Sequence, residues 1–281
     1  MAQLIPYKSG FEVQPSRISS IGEVFFTNGS IEVSPNQKQC EAYGYTYDIA
    51  TGTCRAFKNS QTLNRTFTNL DNVIRGQGNN VIPGTRNTYV MGVNNVVNGD
   101  TQNNIIAGNR NEITSGVNNT FVYGTLGNAT ADNSIVLGGN DQKSILGERQ
   151  VTTLIYGHTT TDNSTTNAFL NNVTNSLYAI PLNAAMYFQA DILAVDATES
   201  GSATGSFKAW VERGVVINKS GTASISRTRT SPASSGTTTG WSPVSTVSGT
   251  NYVLTVKGGT GQTVEWVASI RFTQFQSSTA L

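Results

Sequence analysis

An all-β fold is what the sequence predicts, and three observations predict it. Asn, Ser and Thr make up about a third of the 281 residues, while charged residues are only 12%. These neutral polar types compete with or weaken helical backbone, and good helix formers are scarce. Glycines recur at a fixed spacing through the middle third, the mark of a repeat architecture. Apolar and polar residues alternate with period two through the last third, as in half-buried antiparallel strands. At roughly 150 residues per domain the length suits about two domains.

Charge and patterning narrow the function classes. The 18 basic and 17 acidic residues leave a net charge of +1. No basic stripe is present to neutralise phosphates, so no nucleic-acid partner is expected. No apolar run reaches the roughly 18 residues of a spanning helix, and MAQLIPYKSGFEVQ lacks the regions of a signal peptide. The expectation is synthesis in a cytoplasm and no membrane insertion.

Residues 1–35 carry Pro6, Pro15 and Pro35 and no clear period. They read as an extended arm that attaches to a neighbouring protein, with IGEVFF (21–26) as one strand. Residues 36–68 form a small module around CEAYGYTYDIATGTC. Its alternation and ATG turn suit a hairpin that brings Cys40 and Cys54 together. A disulfide is the preferred reading and two free thiols the alternative; a bridge over about 15 residues contributes roughly 3 kcal/mol in the loop-entropy model. Two cysteines are too few for a zinc site.

Residues 69–158 hold the repeat. Gly76, Gly92, Gly108 and Gly124 are each sixteen apart, with others near the half-way points. NTYVMG, NNIIAG, NTFVYG and NSIVLG alternate with weaker half-units such as NVVNG and NEITSG. Gly and Asn supply the left-handed corners. The coil that results is slender, and Tyr89, Met91, Phe121 and Tyr123 cannot all be buried in one roll. The solution expected is a homotrimer whose apolar strands pack around a common axis, with Val90, Ile106, Val122 and Val136 in the trimer core and the weaker strands facing outward; a single-chain β-helix, which prefers longer coils, is the alternative.

Residues 159–176 read as a polar linker. Residues 177–281 read as an antiparallel β-sandwich, jelly-roll-like. Within it Val264, Trp266, Ala268, Ile270 and Phe272 share one face, as do Tyr252, Leu254 and Val256, and as do Phe207, Ala209 and Val211. SPASSGTTTG (231–240) reads as a long polar loop. Trp241 lies in that loop and Trp210 lies opposite Phe207 and Val211, which makes both candidate glycan contacts, packed aromatics being the alternative.

The hexapeptides NSIVLG, NTFVYG and NTYVMG resemble the repeats of the β-roll in trimeric autotransporter adhesin heads, a roll also similar to segments of bacteriophage fibre proteins. YTYDIATGTCRAF is similar to short modules of phage structural proteins. The tail, from AMYFQADILAVDA through FKAWVERGVVI to VEWVASI, resembles C-terminal domains of phage tail-fibre proteins. These resemblances imply an elongated homotrimeric virion protein, a tail fibre or tailspike, with a β-roll shaft. Its N-terminal part would attach to other virion proteins of the tail, baseplate or capsid. Its distal sandwich would bind a glycan or protein of the host cell surface.

No catalytic residue, cofactor or metal is expected. The lone histidine, His158, cannot supply both a base and a metal site, and no nucleophile or phosphate-binding motif occurs. The chain is therefore expected not to be an enzyme. The alternatives are a capsid decoration or head-fibre protein and a capsule-degrading tailspike glycosidase. The last needs two carboxylates across a cleft, from among Asp100, Asp132, Asp141, Glu148, Asp191, Asp196, Glu199 and Glu212, where no pair stands out.

Overall fold

The computed structural model describes residues 13–19, 22–49, 51–56, 71–139, 145–198 and 205–279. The chain divides into two compact units, Met1–Leu70 and Asp71–Leu281.

The first unit is more structured than the sequence suggests. Strands β1 (Gln14–Ile18), β2 (Val24–Thr27) and β3 (Glu32–Val33) form an antiparallel sheet. A short helix follows, α1 (Gln37–Ala42), started by a capping box. Asn36 Oδ1 accepts from the Gln39 amide at 2.9 Å and Gln39 Oε1 accepts from the Asn36 amide at 2.8 Å, so two orphan donors are satisfied reciprocally. The expected hairpin is β4 (Thr46–Asp48) with β5 (Thr53–Arg55). Cys40, on the helix, and Cys54, on β5, are disulfide-bonded. Both sulfurs sit in one core with Val13, Val24 and Phe26. Residues 13–35 and the cysteine module thus share a core, and the described part of the arm is a sheet rather than an extended strand.

The second unit begins with the roll. Its long-strand series is β6 (Val73–Gln77), β8 (Tyr89–Val93), β10 (Ile105–Asn109), β12 (Phe121–Thr125) and β14 (Ile135–Gly138). The intervening short strands are β7 (Asn80–Val81), β9 (Val96–Val97), β11 (Glu112–Ile113) and β13 (Asn128–Ala129). Each series stacks in parallel with a sixteen-residue offset, Val90 on Ile106 on Val122 and Val97 on Ile113 on Ala129, except that the last step of the long series, Val122 on Val136, is fourteen residues.

Val90, Ile106, Val122 and Val136 are 0% exposed, packed inside the coil against Val81, Val97, Ile113 and Ala129. Each fully buried Val or Ile contributes about 1.5–3 kcal/mol. This corrects two expectations: the four residues form the single chain's own interior, and the weaker strands face inward too. Two rows of small β-branched residues fill so slender a coil, so no partner is needed to seal it.

Local chemistry fixes the corners. Gly76, Gly92, Gly108 and Gly124 stack with φ from +104° to +122°, and a Cβ on each of the first three would fall about 2 Å from the next glycine's carbonyl oxygen. Asn95 and Asn111, both fully buried, run as a ladder against these glycines. Asn111 Nδ2 donates to Asn95 Oδ1, to Ala107 O and to Gly124 O, while its own Oδ1 accepts from the Gly127 amide. Turn carbonyls that the coil buries are satisfied in this way.

The stack ends where β15 (Arg149–Thr160) pairs antiparallel with β14. The same strand then pairs along its whole length with β23 (Val264–Gln276). The remaining strands are β16 (Thr165–Leu170), β17 (Tyr178–Ala179), β18 (Ala184–Asp196), β19 (Phe207–Lys219), β20 (Thr222–Ser235), β21 (Ser242–Ser248) and β22 (Asn251–Lys257). One sheet runs β20-β19-β18-β23-β15-β14-β12-β10-β8-β6, and β16, β17 and β21 gather around β22. The last strand, β23, returns to lie beside β18, a Greek-key order.

Between the two antiparallel layers lies the largest core, with Tyr156, Tyr178, Phe188, Tyr252, Phe272 and the three tryptophans. Residues 159–176 are not a linker: β15 enters that span and β16 occupies six residues of it, because threonine-rich polar sequence still favours strand. The polar loop expected over 231–240 likewise begins as the end of β20.

Candidate interaction face

The long sheet has an inner face that meets the cores and an outer face that meets nothing among the described residues. Register fixes the outer rows. One runs Met91, Ala107, Tyr123, Leu137, Val151, then Thr273, Tyr187 and Val215 across the antiparallel strands. The neighbouring row runs Tyr89, Ile105, Phe121, Ile135, then Thr153, Arg271, Gln189 and Arg213. From β8 to β14 both rows are apolar, two residues wide and stacked strand on strand; on β6 the first row begins with Arg75. Past β15 the second row becomes polar.

Exposure confirms the division. Phe121 is 40% exposed, Tyr123 57%, Ile135 49% and Leu137 45%, whereas Val122 and Val136 between them are fully buried. Soluble monomers rarely expose contiguous apolar surface beyond a few hundred Å² unless it is functional. A hollow of 540 Å³ interrupts the face between β14, β15 and β23, its lining including Leu137, Arg149, Val151, Thr273 and Phe275. The bulk of Tyr89, Met91, Phe121 and Tyr123 pointed to this face in the sequence. Its continuation over β15, β23 and β18 depends on pairing that no local pattern reveals.

The candidate glycan contacts do not lie on a surface. Trp210 is 4% exposed and Trp241 3%. Trp210 stacks on Trp266 with centroids 5.5 Å apart, and Trp241 Nε1 donates to Gln262 Oε1 at 2.9 Å. Both ring faces are used by the core, which overturns the glycan-contact reading. On β19 the inward residues are Trp210, Glu212, Val216 and Asn218, so Phe207, Ala209 and Val211 face out. The outer face is itself apolar there, and hydrophobicity could not tell the sides apart.

The carboxylates are dispersed. Asp132 Oδ1 accepts from the Asn118 amide at 2.7 Å, and Asp196 from the Thr198 amide at 3.1 Å. Asp191 lies on the outer face, where Gln189 donates to it. Glu212 is fully buried; Arg227 Nη1 donates to it at 2.8 Å and the Ser245 amide at 2.9 Å. Glu148 is buried without a hydrogen-bond partner. Asp141 and Glu199 lie outside the described residues. Among the described residues no three His, Cys, Asp or Glu side chains cluster as metal ligands.

His158, on β15, meets Phe169 edge-on at 6.0 Å. Partial burial holds its imidazole below the ordinary 6.5, opposed by the charge of Glu265. Burial likewise pushes the Tyr178 hydroxyl up to about 12.

No family model and no curated protein matches the chain. The solved structures it is similar to include three phage tailspikes. The tailspike of Acinetobacter baumannii phage AM24 is 14% identical, with a TM-score of 0.27 over 74% of this chain and 50% of that one. Tailspike gp49 of Acinetobacter baumannii bacteriophage Fri1, named a capsular polysaccharide depolymerase, is 11% identical, with a TM-score of 0.28 over 70% and 42%. The tailspike of Acinetobacter phage vB_ApiP_P1 is 9% identical, with a TM-score of 0.22 over 74% and 54%. The chain spans about half the length of the solved structures it matches. The fold class expected from the sequence, all-β around a short β-solenoid, is the one observed. The expectation that the chain is not an enzyme is withdrawn, because one of these similar proteins carries the name of a polysaccharide depolymerase.

Proposed function

We propose that the chain is a bacteriophage virion protein of the tailspike or tail-fibre type, working as a homotrimer at the host cell surface. The single observation that carries the reading is the outer face of the roll: two apolar residues wide, repeated strand on strand and uncovered in one chain. A stripe so narrow suits a threefold axis, where each copy meets two others, better than a broad two-fold contact. The hollow beside Leu137 and Phe275 lies on the same face and would receive side chains of a neighbouring copy. The virion setting rests on the resemblance of NTYVMG, NTFVYG and NSIVLG to phage-fibre repeats. Trimerisation also has a functional use, since weak contacts to a surface gain from being made three at a time.

Sedimentation analysis of the purified chain tests the assembly. A species near three times 29.9 kDa is expected; a monomer or a dimer at micromolar concentration overturns it. Antibody raised to the chain should label intact phage particles, and its failure to do so removes the virion assignment while leaving the trimer standing.

A further inference from the structure

We propose that the corner where the start of β15 meets the end of β23 binds one divalent cation of the calcium class, held by the Glu148 carboxylate and the side-chain carbonyl of Gln274. Glu148 is 1% exposed and neither carboxylate oxygen has a hydrogen-bond donor. Arg149 Nε stands 4.0 Å from Oε1, the far limit of an ion pair. Gln274 is 4% exposed; its Nε2 donates to Gly147 O at 2.6 Å, which fixes the amide and leaves Oε1 unpartnered.

The two groups are close neighbours. The Gln276 amide donates to Glu148 O at 2.8 Å, and Gln274 sits opposite Gln150 in the ladder. Beside this corner lies a cavity of 220 Å³ that Gln274, Gln276 and Gln150 line and Glu148 does not, with Ala179 and Pro181 on its apolar side. Donors that could have served the orphan oxygens are committed elsewhere. Gln150 Nε2 donates to Asn128 O and Thr152 Oγ1, and Gln276 Nε2 to Leu182 O.

Three acceptor oxygens and no donor is a costly arrangement in a buried corner, and steeply so for an ionised carboxylate. A hard cation resolves it, because the donor set is oxygen only. Calcium fits better than magnesium: it accepts irregular coordination by six to eight oxygens, with waters completing a shell that two protein side chains begin. With one carboxylate the affinity belongs at the weak end, on the order of 10⁻⁴–10⁻³ M.

The site is independent of the proposed function and is tested on the full chain after chelation. Calcium at ten to a hundred times its dissociation constant should raise the melting temperature by about 3–10 °C, and magnesium by less. Equilibrium dialysis with radiolabelled calcium should give one ion per chain. Glu148→Gln should abolish both responses and melt no lower than the calcium-free parent. If that variant fails to fold, Gln274→Met serves in its place, with weakened binding expected. A full chain that retains no calcium and shows no thermal response, or variants that respond as the parent does, overturns the proposal.

Discussion

Val122 and Tyr123 are adjacent in β12 and face opposite surroundings: the valine is sealed inside the coil and the tyrosine is 57% exposed on the outer face. One residue's step along a strand separates the packing of the chain from the face proposed to meet neighbouring copies. Tyr123→Glu should therefore dissociate the assembly, weakening it by about 2 kcal/mol or more, while the roll of each chain stays intact. Sedimentation and circular dichroism together check it; an unchanged oligomer would remove Tyr123 from the interface.

Gly108→Ala should be severely destabilising. The added methyl would fall 2.0 Å from Gly124 O, at a backbone φ of +122°. A loss of about 3 kcal/mol or more is expected. Gly116→Ala is the control: its φ is +77°, but the space around it is open, so about 1 kcal/mol is expected. Urea unfolding of both variants separates clash from backbone preference.

Arg110 holds a left-handed conformation, φ +54°, at the corner that Asn94 occupies one coil earlier with φ +56°. Asparagine tolerates that region where arginine pays for its Cβ. Arg110→Asn should stabilise the chain by about 0.5–1 kcal/mol, read as a higher urea midpoint with an unchanged slope.

The lone imidazole gives a clean titration. Because folding lowers the pKa of His158, the folded chain binds fewer protons than the unfolded one just below pH 6.5. Stability from this group is full above 6.5, falls as pH drops below it, and levels off beneath the folded value. The histidine ring resonance should titrate with a midpoint under 6.5, and His158→Gln should flatten that part of the acid limb. A midpoint at or above 6.5 would refute the assignment.

The sequence made some of this legible. The coil could be read because its causes are local: glycine and asparagine occupy left-handed corners every sixteen residues, and three consecutive apolar residues alternate across a strand. That same alternation would have placed Val90 and Ile106 inside their own roll, with Tyr89 and Met91 outside. The face of Trp210 could not be read, since both sides of β19 are apolar. Six residues of α1 are too short for a helical period, and only its Asn36–Gln39 box marks it. The pairing of β14 with β15, which makes one sheet of roll and sandwich, joins segments whose sequences share no pattern. Glu148 looked like one solvated acid among eight; its burial without a hydrogen-bond donor is a fact of three dimensions.

The reversal at β15 also sets a rule for how this molecule can change length. Every coil upstream offers the next a parallel template, so a sixteen-residue cassette inserted among them would meet identical neighbours on both sides. Beyond Gly138 the template runs the other way, and a further cassette would find no matching partner. Growth and shrinkage by whole cassettes are thus open before the stop and closed after it, which makes the reach of the roll a matter of copy number rather than of new design.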